Sequence, residues 1–312
     1  MKPETLQTLP GHAAMFSCNV LWGLMSPVAK DALTYFHDND ISPILLPTLR
    51  IFGATICFWI LSLFSPSEKV SREDFRRLVG AGFLSVACNQ NLFVCGISFT
   101  SPIDASVMTT LLPVATMILA AIVLREPITH LKAFGVALGM TGAILLILSG
   151  GQGLSLDLDH AIGDLMCMSA QFSFAFYLVR YKDLMSRYSP VTLMKWMFLS
   201  SSVIILPFSS WSFVGVDFTS MPTSVLLETG YVVFVATFLT FLFVPIGQRL
   251  LRPTVVSSYN YVQPVVASVA ALLLGLSVFT PLKALAVAFV FSGVLMVTRS
   301  KSRRQLLEEQ KK

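Results

Sequence analysis

The sequence predicts an all-α integral membrane protein of ten transmembrane helices, built as two inverted five-helix repeats with the N and C termini cytoplasmic. Three observations carry this prediction: the composition, the spacing of the apolar runs, and a register in which the second half of the chain repeats the first. Of 312 residues, 54% are apolar or aromatic and only 12% are charged, about half the charge of a soluble domain. With a mean hydropathy of +0.73, the chain is not a disordered protein, a nucleic-acid-binding domain or a water-soluble enzyme. Its expected surroundings are a lipid bilayer and, for partners, small solutes, with no nucleic acid.

A bilayer core takes about 20 mostly apolar residues per helix. By that ruler the spans are 12–32, 43–64, 76–98, 104–124, 129–149, 161–181, 190–210, 225–247, 254–276 and 280–298. Polar or turn-forming breaks separate them, such as Asp38-Asn39-Asp40, Ser65-Pro66-Ser67, Arg125-Glu126-Pro127, Gly150-Gly151-Gln152-Gly153 and Arg252-Pro253. With the N-terminus inside, 18 of the 22 Lys and Arg residues fall on the cytoplasmic side, whereas Asp31, Asp38, Asp40, Asp157, Asp159 and Asp217 fall outside. That sorting sets the expected orientation; the expected location is the plasma membrane, as a multi-pass protein of a bacterial inner membrane. The first span follows a short tail with no A-x-A cleavage site and reads as a retained helix.

The repeat is read by sliding the chain on itself until Pro264 meets Pro113. Ser257 then falls on Ser106, Thr280 on Thr129, Lys283 on Lys132, Val287 on Val136 and Gly293 on Gly142, without a gap. Each half holds five spans, and an odd number forces the second copy to enter from the opposite side, the architecture of secondary transporters. The expected units are 12–149, 161–299 and a charged cytoplasmic tail, 300–312.

Several short motifs now fall into order: Trp22-Gly23 in the first span, Leu49-Arg50 in the second, Thr100-Ser101-Pro102 leading to Pro113-Val114, Arg125-Glu126-Pro127-Ile128, and Gly135, Gly139 and Gly142. In this order and spacing the chain resembles the drug/metabolite transporter superfamily, EamA type. The resemblance implies a ten-helix permease for small organic metabolites, often amino acids or their relatives, with a central cavity between two five-helix bundles. The second half departs from the pattern in carrying Ser277 where the first has Glu126.

Candidate substrate-binding residues are polar or aromatic groups deep in the spans, since a polar side chain facing acyl chains is costly. In the third span Asn89, Gln90 and Asn91 point about 100° apart, so one is expected to line the cavity and another to bond a neighbouring helix. The ninth span carries Tyr259, Asn260 and Gln263, with Tyr259 and Gln263 at helical i,i+4 spacing, and Ser257 and Ser258 able to bond back to their own helix. Trp22 and Tyr177 are candidate aromatic walls. Pro113 and Pro264 are candidate hinges, each expected to kink its span and to serve the gate on its own side. Arg50 is an embedded charge, either a carboxylate-binding or gating cation or a snorkelling structural residue, with Asp104 and Glu228 as available counter-charges.

The glycine stripe allows close helix approach, either within one chain or across a homodimer. Cys18, Cys57, Cys88, Cys95 and Cys167 lie in apolar runs without a CxxC pair, and His12, His37, His130 and His160 are far apart. Neither a HExxH motif nor a P-loop is present, so no metal, cofactor or catalytic residue is expected. The function these features define is a secondary transporter moving a small, amino-acid-like or related metabolite by alternating access. The alternatives are a membrane assembly or receptor protein that moves nothing, and an intramembrane enzyme.

Overall fold

The structure, a computed structural model, describes residues 3–28, 30–42, 44–99, 102–148, 161–273, 280–301 and 305. The Gly150–Gly153 break, Asp157, Asp159, Ser277 and most of the tail lie outside the described residues. Within them the chain is helical with no strand. Helix α1 (Pro3–Val28) leads into the short α2 (Lys30–Asp38), then α3 (Leu45–Leu63). A continuous rod follows: α4 (Arg72–Gly82), a π-helical stretch Phe83–Cys88, and α5 (Asn89–Phe99). Next come α6 (Pro102–Thr109), α7 (Leu112–Val123), α8 (His130–Leu148), α9 (Ala161–Arg180) and α10 (Pro190–Ser209). A second rod joins α11 (Thr223–Gly230), a π-helical stretch Tyr231–Leu239 and α12 (Thr240–Leu250), before α13 (Pro253–Ser258), α14 (Val262–Leu273) and α15 (Pro281–Arg299).

Among the described residues, seven stretches are long and apolar enough to cross a membrane: Leu45–Leu63, Ser106–Val123, His130–Leu148, Ala161–Arg180, Pro190–Phe213, Thr223–Leu250 and Pro281–Arg299. At most half of each is buried inside the protein. Leu63, Phe64, Phe208, Leu227 and Leu273 are each at least 70% exposed, an apolar surface that water would not tolerate and that lipid covers.

The sequence offset reappears in three dimensions. Arg72 and Thr223 open the two rods, Cys88 and Leu239 end their π-helical stretches, and Phe99 and Leu250 end the rods themselves. Each pair is 151 positions apart, as are Pro102 and Pro253 at the starts of α6 and α13. α8 and α15, the matching last helices of the halves, lie against one another through glycine. A methyl added at Gly293 would stand 2.6 Å from the Gly135 carbonyl oxygen, and one at Gly142 2.6 Å from that of Ala286, closer than carbon and oxygen can approach. The glycine stripe is therefore spent inside the chain.

One feature differs from the sequence reading. Residues expected in an outer loop form α2, whose Ala32 and Phe36 bury against Leu45, Met221, Val225 and Val232; i,i+4 apolar spacing makes this short helix a cap on one end of the bundle. At the opposite end, Glu126 pairs with Lys132, at 3.1 Å. Arg125 occupies a left-handed backbone conformation, φ 52°, which turns the chain so that the first turn of α8 brings Lys132 back over Glu126. The same basic end holds an ion-pair network in which Asp183 joins Arg77 and Arg187 at 2.7 and 3.3 Å, and Arg187 also meets Asp74 at 3.1 Å.

Candidate functional site

Both broken spans owe their shape to proline. Pro113 is the second residue of α7 and Pro264 the third of α14, first-turn positions where a missing N–H costs nothing. The break falls just before each: a turn at Thr110-Leu111 and a tight 3₁₀ turn at Tyr259–Tyr261. The expected mid-span kinks are thus breaks with the proline on the far side. Because Pro113 has no N–H to offer the carbonyl four residues back, the Thr109 oxygen is left free, and Asn260 Nδ2 donates to it at 3.0 Å. Thr109 and Asn260 are matching positions of the two repeats, 151 apart. The two breaks touch each other.

A tight turn of three residues per rotation sends successive side chains about 120° apart, so Tyr259, Asn260 and Tyr261 reach three different helices. Tyr259 hydrogen-bonds His12 of α1 at 2.8 Å, Asn260 crosses to Thr109, and Tyr261 donates to the Val136 carbonyl of α8 at 3.2 Å. The i,i+4 spacing of Tyr259 and Gln263 on one face assumed a regular helix; the tight turn changes that period locally. Gln263 donates from Nε2 to Asn260 Oδ1 (2.6 Å) and to Asn19 Oδ1 of α1 (2.9 Å). The result is a chain of three amides between the two breaks and the first helix.

Beside this chain lies a small cavity of about 10 Å³, room for roughly one water. Met15, Asn19 and Trp22, on one face of α1 at i, i+4 and i+7, form one wall; Phe174 and Leu178 of α9, Val244 of α12, Leu112, Val256, Ser257 and Asn260 complete it. No lining side chain is ionisable. The Trp22 indole N–H donates to the Ala236 carbonyl at 2.9 Å, an oxygen within the second π-helical stretch, where the regular helix ladder is interrupted. So held, Trp22 meets Phe174 and Phe241 edge-on, at 6.4 and 6.1 Å between centroids.

Of the residues singled out in the sequence, Trp22 and Asn260 border the cavity and Gln263 supports it from behind. Asn89 donates to the Ala170 carbonyl of α9 and Asn91 to its own helix at Ala87, both at 2.8 Å. Gln90 between them is 5% exposed, and neither its nitrogen nor its oxygen has a partner; an amide so left normally costs about 1–3 kcal/mol per group. Tyr177, fully buried, donates to Gln248 Oε1 at 2.8 Å and closes the bundle toward the basic end rather than walling the cavity. Gln248 Nε2 and Thr254 Oγ1 next to that closure are buried without partners. Arg50 of α3 donates from Nε to Thr237 Oγ1 at 2.9 Å. Glu228, offered as its counter-charge, instead accepts from the Ala32 N–H at 2.7 Å; the Asp104 side chain is outside the described residues.

Asn19, Phe174 and Gln248 were not anticipated. Asn19 alone had a legible signal, an amide inside an apolar first span one turn before Trp22. Ser257 and Ser258 both donate back to their own helix, at 3.1 and 2.9 Å.

Apolar exposed flanks and repeated helical rods define a multi-pass membrane protein. The chain belongs to the EamA-like transporter family, which matches it twice, over residues 9–148 and 161–299. Among curated relatives it is 22% identical over 289 residues to the uncharacterized transporter YyaM of Bacillus subtilis, covering 91% of this chain and 92% of that protein. It is 28% identical to a probable amino-acid metabolite efflux pump of Salmonella typhimurium, over 70% of this chain and 72% of the other. It is 25% identical to an uncharacterized transporter of Archaeoglobus fulgidus, of which it spans 63%. A solved crystal structure superposes with a TM-score of 0.76 at 15% identity, over 94% of this chain and 98% of that one; the fold is shared.

Proposed function

We propose that the protein is a secondary carrier of the plasma membrane that moves a small organic metabolite, amino-acid-like or related, by alternating access. In this reading α1, α3, the two rods, α6–α7, α8, α9, α10, α13–α14 and α15 make ten spans in two inverted repeats, 12–149 and 161–299, with both termini cytoplasmic. The observation that carries it is the cavity at the meeting of the two broken helices. Its volume, about 10 Å³, is far below the 300–1,000 Å³ or so of a ligand pocket; a solute enters only if the halves move apart, and the breaks are where a small rotation is absorbed most cheaply. Trp22, Asn260 and Gln263 would contact the solute, with Asn19 and the unpartnered Gln90 as further hydrogen-bonding groups. The efflux-pump relative supports an amino-acid-like cargo.

Cysteine scanning tests both parts. A thiol at Asp217 should be reached by an impermeant reagent from outside intact cells and one at Glu73 only after lysis; the reverse pattern overturns the orientation. Purified protein in liposomes should equilibrate the solute that metabolite profiling of producing and non-producing cells identifies. Protein that folds and inserts but moves none of the profiled metabolites overturns the carrier.

A further inference from the structure

A guanidinium inside a membrane span is costly unless an anion, carbonyls or water meet it, and Arg50 is met by almost nothing. Its Nε donates to the Thr237 hydroxyl, whose own proton is spent on the Val232 carbonyl at 2.8 Å. Of the five N–H groups of arginine, the four on the two terminal nitrogens form no hydrogen bond with the described residues. The ion pairs among the described residues all lie at the basic end, on Arg77, Lys132 and Arg187. Packing does not require the cation either: the matching position of the second repeat is Ser201, buried and bonded back to Met197.

The place of Arg50 ties it to the cavity. Its anchor, Thr237, follows Ala236, the anchor of the cavity wall Trp22, so the π-helical stretch holds both side chains at adjacent residues. Beyond Trp22 the cavity itself offers donors. Asn19 and Asn260 each use their oxygen to accept from Gln263 and one N–H on a backbone carbonyl, which leaves each a second N–H. Cation and amides alike ask for an acceptor, and a planar guanidinium fork fits a carboxylate with two parallel bonds.

We propose that Arg50 is the carboxylate-binding station of the solute path, so that the cargo is an organic acid or zwitterion whose carboxylate docks on the guanidinium while its apolar part rests against Trp22 and Phe174. The proposal rests on the carrier reading of the same cavity. A lysine would hold the charge but lose the fork; glutamine would lose both.

The test uses probes that share one side chain and vary the charge at each end: leucine, N-acetyl-leucine, leucinamide and N-acetyl-leucinamide, and the same four built on phenylalanine. Thermal unfolding of the purified carrier, followed with increasing probe, gives apparent affinities. On at least one scaffold the two carboxylate members should bind at least tenfold tighter than the two amides. Arg50→Gln should erase that preference and Arg50→Lys should keep part of it. Should Arg50→Gln fail to fold, the wild-type series and Arg50→Lys still decide. Amides binding as tightly as acids, a preference that survives Arg50→Gln, or no response to any of the eight probes overturns the proposal. Solute flux without carboxylate preference would sink this inference alone, whereas carboxylate binding without flux would sink the carrier reading, and with it the solute path, and leave only a carboxylate site at Arg50.

Discussion

The break between α6 and α7 and the break between α13 and α14 occupy matching positions, precede matching prolines, and carry different chemistry. At the first, Thr109 and Thr110 have short side chains that bond back to Ser106 and Val107, both at 2.7 Å; only a backbone oxygen is left for a partner. At the second, Tyr259, Asn260 and Tyr261 have long side chains that span the gaps to α1, α6 and α8. One break receives and the other reaches. Duplication has preserved the backbone device and let the polar groups collect in one copy, as it has left Arg50 in the first half opposite Ser201 in the second. The scaffold is symmetric where it needs glycine and proline, and asymmetric where polar side chains gather beside the cavity.

The largest expected effects test the symmetric part. Gly142→Ala and Gly293→Ala should damage the carrier alike, because each places a methyl about 2.6 Å from a backbone oxygen of the facing helix. Overpacking of this kind costs about 1–3 kcal/mol, read as a lowered unfolding midpoint and reduced membrane abundance in both variants. If one is tolerated and the other is not, α8 and α15 are not equivalent.

The asymmetric part should respond to only one member of its matched pair. Asn260→Ala removes the bond to Thr109 and a partner of Gln263, a loss of about 1–3 kcal/mol, or roughly 5- to 150-fold in solute affinity or flux. Thr109→Ala leaves the accepting carbonyl in place and should stay within about twofold of wild type at equal abundance. Equal losses in the two would mean that the Thr109 side chain matters and that the division of labour is misplaced.

Much of this was legible in the sequence, for identifiable reasons. Apolar run lengths, turn residues and the offset of 151 depend on composition and period, which survive without coordinates. Individual side-chain directions do not. The shared face expected of Tyr259 and Gln263 assumed 3.6 residues per turn; the 3₁₀ turn changes the period locally, swings Tyr259 toward His12 and hands Gln263 to Asn260. Asn19 stood alone between Cys18 and Val20 and lacked the clustering that drew attention to Asn89-Gln90-Asn91, of which two members serve helix contacts. Tyr177 has the depth expected of a cavity wall, but depth does not specify azimuth, and its face of α9 looks toward Gln248.

The smallest effect, and the sharpest test of the comparison, concerns the prolines themselves. Symmetric hinges would make Pro113→Ala and Pro264→Ala bias the carrier toward opposite facing states by similar amounts. The structure predicts unequal effects. An alanine at 113 regains an N–H aimed at the Thr109 oxygen, which Asn260 of the other half already holds; an oxygen has two lone pairs, so the newcomer weakens that bond without abolishing it. At 264 the corresponding oxygen, that of Asn260, is met by the Val262 N–H within its own turn, and no contact between halves is disturbed. A loss of up to about 1 kcal/mol at the contact shifts the ratio of facing states by roughly fivefold. Labelling of thiols at the two cavity mouths should therefore change about severalfold in Pro113→Ala and remain near wild type in Pro264→Ala. Equal and opposite changes would restore the symmetric hinge, and would mean that the hydrogen bond between Asn260 and Thr109 does not control which way the cavity opens.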